Sequence, residues 1–434
     1  MQRRILQQLL LWKKDKYRKP LVLRGARQVG KTWVLKEFGH TAFDKLVYVN
    51  FEETPSLQNL FELDFDIDRI IAALQIHARK TITASDTLIV FDEIQSAEKG
   101  ITSLKYFCEN APEYHVIAAG SLLGMGLHSS ISFPVGKVDF MELHPMSFAE
   151  FLIALDEEQL ANALESRQWS VLSTFSEKLK VYLRYYMYVG GMPEVVAAFA
   201  ETKDWLLVRR IQNRIVESYE NDFPKHAPTD IVPRIKMVWD SIPSQLAKEN
   251  KKFVYGAIKT GARAKDFEMA IQWLIECGLL LKLPRISKYG KPLRAYLDLS
   301  AFKLFLHDVG LLGALAGLDA RTIIDGDKIF EEFKGAIAEQ YVMQQLKLKS
   351  DRILGYWTND RSTAEIDFLV QDEDEVIPLE VKSGINTKAK SFKQFCDEHQ
   401  PKTAIRASLL DYHEEDWLTN VPLYAIGSGF FGDI

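Results

Sequence analysis

Two short motifs near the N-terminus contain residue types that can bind a phosphate chain and a divalent cation. The first is GARQVGKT, a Gly-x4-Gly-Lys-Thr pattern that begins at Gly25 and ends at Thr32. In such a loop, backbone N–H groups point at phosphate oxygens, and the lysine ammonium reaches the β- and γ-phosphates. The threonine hydroxyl can ligate Mg²⁺. We therefore predict a phosphate-binding loop in which Lys31 contacts phosphate and Thr32 contacts Mg²⁺.

The second motif, LIVFDE, ends an apolar run with two acidic residues, Asp92 and Glu93. Asp92 is placed to hold Mg²⁺, directly or through water, and Glu93 to polarise the water that attacks the phosphate. The alternative is a strand that ends in a solvated acidic turn, and the upstream loop favours the catalytic interpretation. Ser121 follows a further apolar run, where its hydroxyl can sense the γ-phosphate or serve only as a turn residue.

Strands and helices alternate around these motifs. Apolar runs at 20–25, 45–52, 87–93 and 114–121 predict strands, and the segments between them show apolar residues at helical spacing. Strands that are apolar throughout indicate a parallel sheet covered on both faces. The sequence thus predicts an α/β domain over residues 1–165.

The rest of the chain is predicted to form three further parts. Residues 166–228 read as a helical lid, interrupted by GGMP. Residues 229–318 combine helices with a strand, a basic turn and a strand, which fits a winged-helix domain. Residues 319–434 contain a helix and three strands, and are predicted to be a C-terminal α/β domain.

The basic turn of the winged-helix region suggests contact with nucleic acid. Lys288, Lys291 and Arg294 could touch phosphates while a helix enters the major groove. Winged helices also serve as packing modules, and the sequence leaves both interpretations open.

The C-terminal domain carries a second set of candidate residues. Glu339 lies on a predicted helix, Asp367 on a strand, and Glu380 and Lys382 on the next strand as Glu-x-Lys. Because side chains alternate along a strand, Glu380 and Lys382 share one face, and a hairpin can bring Asp367 beside them. The three carboxylates could hold Mg²⁺ while Lys382 activates a water for phosphodiester attack. A salt-bridged sheet face is the alternative.

Several segments together resemble a known family. RGARQVGKT, LIVFDEIQ, AAGSLLG, ELHPMSFAEFL and VGGMPEVV occur in this order, as in bacterial and archaeal AAA-type ATPases whose C-terminal half is a domain of unknown function. The resemblance implies ATP rather than GTP as ligand, and a nucleotide contact from Gly191 and Pro193. It also implies a C-terminal restriction-endonuclease-like fold of the PD-(D/E)xK type. Lys137 stands where such proteins commonly have arginine, and lysine lacks arginine's planar fork.

The predicted ligand-binding residues can be stated together. Those predicted to bind the nucleotide are Gly25, Ala26, Arg27, Gln28, Val29, Gly30, Lys31, Thr32, Trp33, Asp92, Gly191 and Pro193. Those predicted to act in catalysis are Lys31, Glu93, Ser121 and Lys382, and those predicted to bind metal are Thr32, Asp92, Glu339, Asp367 and Glu380.

Composition limits the possible classes of protein. The chain has 434 residues, a net charge of −5 and 47% hydrophobic residues, and no apolar run is long enough to span a membrane. Three widely spaced cysteines indicate a reducing cytoplasm and no structural zinc. Basic residues concentrate in 1–20, predicted to include an amphipathic helix, and in 248–294, so local patches matter more than the net charge.

These observations predict an ATP- and Mg²⁺-dependent ATPase that works as a switch or motor on nucleic acid and carries a nuclease-like domain. The alternative is an ATP-switched regulator that binds DNA or a partner without cutting. An oligomer is compatible with either.

Overall fold

The structure is a computed structural model that describes residues 2–120, 134–248, 251–319, 334–348, 352–359, 364–372, 375–384 and 389–427. Ser121, a predicted site residue, lies outside these ranges. The chain divides into two compact units. The N-terminal unit comprises Arg3–His144 with Glu276–Gly278, and the C-terminal unit comprises Pro145–Ile275 and Leu279–Ile434 with the first two residues. No helix in the described ranges is both long and apolar enough to cross a membrane.

The N-terminal unit is a parallel sheet with helices between its strands. Its helices are α1 (Ile5–Lys14), α2 (Lys31–Ala42), α3 (Ile67–Ala78) and α4 (Gly100–Asn110), and its strands are β1 (Leu21–Arg24), β2 (Lys45–Asn50), β3 (Thr87–Asp92), β4 (His115–Ala119) and β5 (Asp139–Glu142). The strand order is β2-β3-β4-β1-β5, and every pairing is parallel. The predicted α/β class and the four predicted strands are therefore present.

The apolar strands explain this sheet. Every residue of β3 and β4 is buried, as expected for central strands with both faces covered. The ring centroid of Phe91 on β3 lies 5.7 Å from those of Phe51 and Phe61, which belong to one apolar core. Asp66 caps α3, because its side chain accepts a hydrogen bond from the Arg69 N–H at 2.8 Å.

The C-terminal unit begins with helices. They are α5 (Phe148–Ala154), α6 (Glu158–Glu165), α7 (Trp169–Thr174), α8 (Ser176–Val189), α9 (Pro193–Thr202), α10 (Trp205–His226), α11 (Val232–Leu246) and α12 (Ala264–Glu276). Ser147 and Glu150 form a capping box that starts α5. The Tyr186 ring on α8 lies 5.3 Å from Phe151 and 5.7 Å from Phe148. α5 thus packs on α8, and the compact units divide at residue 145, whereas the sequence predicted an α/β domain over residues 1–165.

The remaining elements build one sheet. They are β6 (Leu280–Ile286), β7 (Leu297–Leu306), α13 (Val309–Leu315), α14 (Lys334–Leu346), β8 (Ile353–Thr358), β9 (Glu365–Asp372), β10 (Glu375–Val381), α15 (Lys390–His399), β11 (Ile405–Ser408), β12 (His413–Glu415) and β13 (Leu418–Pro422). The strand order is β12-β13-β11-β10-β9-β8-β6-β7. The predicted basic hairpin is β6–β7, and the predicted C-terminal strands include β8, β9 and β10.

The basic hairpin is part of the C-terminal sheet. β6 pairs in parallel with β8, with Arg285 opposite Tyr356. The turn between β6 and β7 is also tied to the sheet, because Tyr289 donates to the Val376 carbonyl at 2.8 Å and the Leu293 N–H donates to Gln371 at 2.7 Å. The boundary predicted at residue 318 therefore separates stretches of chain that share one sheet.

Candidate nucleotide site

The loop between β1 and α2 has the conformation that a phosphate-binding loop needs. Gly25, Gln28 and Gly30 have positive φ angles of 149°, 65° and 95°. A Cβ on Gly25 would overlap the carbonyl oxygen of Leu143. Gly30 precedes α2 and provides no side-chain cap. The first N–H groups of the helix, at the positive end of its dipole, are therefore not capped by a side chain. This arrangement can bind an anion.

Lys31 is held over this loop. It is only 7% exposed, and its Nζ donates hydrogen bonds to the carbonyl oxygens of Gly25 at 2.8 Å and Ala26 at 3.0 Å. Burial lowers the pKa of the Lys31 ammonium to about 8, although Glu93 and Asp92 favour the charged form. The negative charge of a phosphate chain beside this ammonium would further favour its charged form.

Asp92 is fixed at the end of β3 by three hydrogen bonds. Its Oδ2 accepts from the Thr32 hydroxyl at 2.8 Å and from the Tyr48 hydroxyl at 2.6 Å, and its Oδ1 accepts from the Glu93 N–H at 3.1 Å. Asp92 is 1% exposed. Thr32 and Asp92, predicted from separate motifs to bind one cation, are therefore in direct contact.

Glu93 follows in a backbone conformation that is unusual for its residue type. Its φ and ψ are 48° and 46°, in the left-handed region. Its carboxylate accepts a hydrogen bond from Gln95 Nε2 at 2.5 Å. Such strained backbone is common at functional sites, where the surrounding structure holds it in place.

The other predicted loop residues have varied environments. Val29 is buried, and its carbonyl accepts from Arg3 Nη1 at 3.0 Å. Trp33 is 41% exposed at the start of α2, and Arg27 is half-buried. Lys137, at the position where the resembling family has arginine, forms an ion pair with Glu109 at 2.9 Å.

Gly191 and Pro193 lie in the C-terminal unit. The Gly191 N–H donates to Asp308 Oδ2 at 2.6 Å, and its carbonyl accepts from the Met146 N–H at 2.6 Å. A Cβ on Gly191 would overlap the Met146 backbone, so this position requires glycine for packing alone. Their predicted contact with nucleotide stays a prediction.

The residues of the N-terminal site fit a nucleotide phosphate and Mg²⁺. The uncapped helix start, the glycine loop and Lys31 match the charge of a phosphate chain, and Thr32 with Asp92 offers the hard oxygen donors that Mg²⁺ prefers. Sequence reasoning missed Tyr48. The sequence placed Tyr48 on a predicted strand, but the register that sets Asn50 opposite Asp92, and so brings Tyr48 to that carboxylate, is visible only in the structure.

The predicted second site has a different composition from the one expected. Glu339 is 7% exposed, and its Oε1 is in contact with Lys251 while its Oε2 lies 3.5 Å from Lys303 Nζ. Lys303 also contacts Glu365. Sequence reasoning missed these two lysines and Glu365 because none belongs to a recognisable motif.

The remaining predicted residues of that site lie on β9 and at the end of β10. Asp367 Oδ2 accepts from the Val381 N–H at 2.8 Å, and Lys382 Nζ lies 2.7 Å from Glu380 Oε1. Burial raises the pKa of the Asp367 carboxyl well above its usual range, and the Glu339 and Glu380 carboxylates raise it further. Within the described residues, no three His, Cys, Asp or Glu side chains form a group that could hold a metal ion.

The sheet, the loop and the Thr32–Asp92 contact are those of a P-loop nucleotide-binding domain. Residues 17–152 match the model of a family described as an AAA domain. Residues 180–322 and 334–426 match two families described as domains of unknown function, DUF8612 and DUF4143. No curated protein matched the chain.

Among solved structures, the chain is similar to a Walker-type ATPase of Pyrococcus abyssi, with 12% identity, a TM-score of 0.45, and coverage of 71% of this chain and 94% of that one. It is also similar to the RuvB Holliday junction branch migration motor of Thermotoga maritima, with 14% identity, a TM-score of 0.30, and coverage of 65% and 90%. Cdc6p of Pyrobaculum aerophilum matches with 14% identity, a TM-score of 0.26, and coverage of 74% and 93%.

Proposed function

We propose that this protein is a Mg²⁺-dependent ATPase that works as a nucleotide-controlled switch or motor on nucleic acid. The observation that carries the proposal is the contact between Thr32 and Asp92, beside a loop that holds Lys31. Two residues 60 positions apart in sequence thereby offer adjacent oxygen ligands next to a phosphate-binding loop.

Each residue of this site has a distinct task in hydrolysis. The loop N–H groups and Lys31 bind the phosphates and stabilise the charge that develops on them. Thr32 and Asp92 would hold Mg²⁺, which when bound neutralises phosphate charge. Glu93 orients the attacking water and accepts its proton. Gln95 holds the Glu93 carboxylate through the hydrogen bond at 2.5 Å.

Two variants test this assignment. We expect Lys31→Ala to lose ATP binding in titration calorimetry while keeping its thermal unfolding transition, because the phosphates lose their main positive charge. We expect Glu93→Gln to bind ATP as the wild type does but to turn it over much more slowly. Wild-type ATP affinity in Lys31→Ala would refute the loop assignment, and wild-type turnover in Glu93→Gln would remove Glu93 as the base. GTP measured in parallel tests the nucleotide preference.

The basic turn between β6 and β7 supports contact with nucleic acid. Lys288, Lys291 and Arg294 are all exposed, while Tyr289 and Leu293 anchor the turn to the sheet. An anchored turn can present its cations to a phosphate backbone without first being ordered. The C-terminal unit would then hold DNA or RNA while the ATPase domain changes state.

Neutralising this turn tests the proposal. Replacing Lys288, Lys291 and Arg294 by Gln should weaken DNA binding and reduce the salt dependence of log K by up to about 2–3, since each phosphate contact contributes about 0.9. Fluorescence anisotropy across a salt series measures both. A charge-matched control replaces Arg214, Lys225 and Lys236, whose side chains are 60–65% exposed on α10 and α11. Equal loss in both triple variants would leave the turn without a specific role.

A further inference from the structure

Glu339, one of the carboxylates that the sequence suggested as metal ligands in the C-terminal unit, is paired with two lysine ammoniums. Lys303 lies on β7 and its side chain is 0% exposed. Its Nζ contacts Glu365 and lies 3.5 Å from Glu339 Oε2. Lys251 contacts the other oxygen of Glu339, so both oxygens of that carboxylate already face a cation.

Lys303 depends on these partners. Residues 301–306 of β7 are all buried, and the Lys303 side chain has no exposure to solvent. An unpaired buried charge costs several kcal/mol, whereas a pair with carboxylates offsets much of that cost. The charged form of Lys303 is therefore stabilised by Glu339 and Glu365.

The charges of the cluster leave little need for a metal ion. Its carboxylates are those of Glu339, Glu365, Asp367 and Glu380, and its ammoniums are those of Lys251, Lys303 and Lys382. In their ionised forms one negative charge remains. A divalent cation would turn this into an excess positive charge in a largely buried place, and to bind at Glu339 it would have to displace Lys303 or Lys251. The donor set therefore does not fit Mg²⁺ or Mn²⁺.

We propose that Lys303 occupies the place of a divalent cation in this cluster. The C-terminal unit would then bind nucleic acid, the partner in the proposed function, without metal-dependent phosphodiester cleavage. The cluster then fastens β7, α14 and β9 together through Lys303, Glu339 and Glu365. The Glu-x-Lys pattern at the end of β10 keeps its residue types, but the cation beside Glu339 and Glu365 is supplied by the chain itself.

Binding of Mn²⁺ to the full chain is the first test. Free Mn²⁺ is measured by electron paramagnetic resonance during titration of the wild type and of Asp367→Asn, without nucleotide. We expect the two titrations to coincide, because the cluster holds no metal in either protein. One Mn²⁺ per wild-type chain that is lost in Asp367→Asn would overturn the proposal.

Removal of the lysine is the second test. In Lys303→Met the carboxylates lose their resident cation, and we expect Mn²⁺ to raise the unfolding temperature of this variant but not that of the wild type. Lys282→Met is the matched control, because Lys282 lies on the neighbouring strand with its Nζ 4.4 Å from the Phe302 ring centroid. A folded Lys303→Met that gains nothing from Mn²⁺ would overturn the assignment of Lys303. If that variant does not fold, the wild-type titration decides alone.

Discussion

Asp92 is positioned before any cation binds. Three donors hold its carboxylate, and two of them, Thr32 and Glu93, were predicted from sequence to belong to the same site. The third, Tyr48, comes from β2, the strand beside β3. In its proposed role as a Mg²⁺ ligand, the Asp92 side chain would therefore lose little freedom on binding, which favours tight and oriented binding.

Tyr48→Phe should weaken the use of Mg²⁺ while leaving the ring in place. Loss of one hydrogen bond to Asp92, at about 1 kcal/mol, corresponds to about a fivefold rise in the Mg²⁺ concentration that gives half-maximal ATPase activity. Binding of ATP without Mg²⁺ should not change. Tyr106→Phe is the control, because Tyr106 lies on α4 and stacks on Phe65 at 4.2 Å. An unchanged Mg²⁺ dependence in Tyr48→Phe would mean that Thr32 and Glu93 suffice to orient Asp92.

The lowered pKa of Lys31 makes nucleotide binding sensitive to alkaline pH. Burial brings this pKa to about 8, so free Lys31 is half charged near pH 8, and phosphates restore the charged form. We expect the wild type at pH 8 to take up roughly half a proton more on binding ATP than Lys31→Arg does, since arginine stays charged. Calorimetry in buffers of different ionisation enthalpy measures this difference. Equal uptake in both proteins would contradict it.

The same pKa affects stability with a defined sign. Between pH 8 and the ordinary lysine value of 10.5, the unfolded chain binds the proton that the folded chain has released. The contribution of Lys31 to the free energy of unfolding therefore rises with pH across this window. Below about pH 8 the folded chain carries the full cost of the buried charge.

At the scale of elements, the loop depends on β5 as well as on the strand and helix that it joins. Arg24 pairs with Glu142, and the Leu143 N–H donates to the Arg24 carbonyl at 2.8 Å. The chain after β5 therefore passes directly against Gly25. This contact requires a residue without a side chain at Gly25, independently of any ligand.

Gly25→Ala should damage both the fold and nucleotide binding. The methyl group of an alanine there would overlap the backbone of Leu143, and the alanine would also have to adopt a φ of 149°. We expect a loss of unfolding free energy of more than about 2 kcal/mol, with weaker ATP binding. Gly136→Ala isolates the backbone effect, because Gly136 has a φ of 73° with open space around it. Denaturant unfolding compares them, and an equal loss in both variants would show that the Leu143 contact is unimportant.

At the scale of the whole chain, segments that match two different families share one sheet. β6 and β7 fall within 180–322, and β8 to β13 fall within 334–426, yet β6 pairs with β8. The ion cluster follows the same pattern, since Lys251 and Lys303 come from the first segment and the carboxylates from the second. Two of the three ammoniums of the cluster thus come from chain outside the C-terminal family match.

The lysines in the carboxylate cluster predict that a DNA cleavage assay will give a negative result. Plasmid and single-stranded DNA incubated with Mg²⁺ or Mn²⁺, with and without ATP, should show no cleavage that depends on Asp367, because Lys251, Lys303 and Lys382 already offset most of the carboxylate charge. Gel electrophoresis compares the wild type with Asp367→Ala, and the two should give the same background. Cleavage by the wild type that disappears in Asp367→Ala would establish a nuclease and refute the resident-lysine proposal.

Local sequence was sufficient for much of the N-terminal unit. The strands β1 to β4 contain apolar runs, and the loop and Asp92 follow directly from such runs, so both motifs could be placed on the correct elements. β5 was missed because it has only four residues with alternating exposure. β11 to β13 were missed for a similar reason, as strands of three to five residues carry little periodic signal. α15 was missed although Phe392, Phe395 and Cys396 recur at helical spacing.

The sequence by itself determined the phosphate loop, the acidic end of β3 and the α/β class, because each depends on residues adjacent in the chain. Only the tertiary structure decided the environment of the distant carboxylates. Lys251 and Lys303 are 88 and 36 positions from Glu339, and nothing in their local patterns marks them as its partners. Charge pairing in a buried cluster depends on which strands the fold places side by side, and that information is absent from the spacing of residues within any one motif.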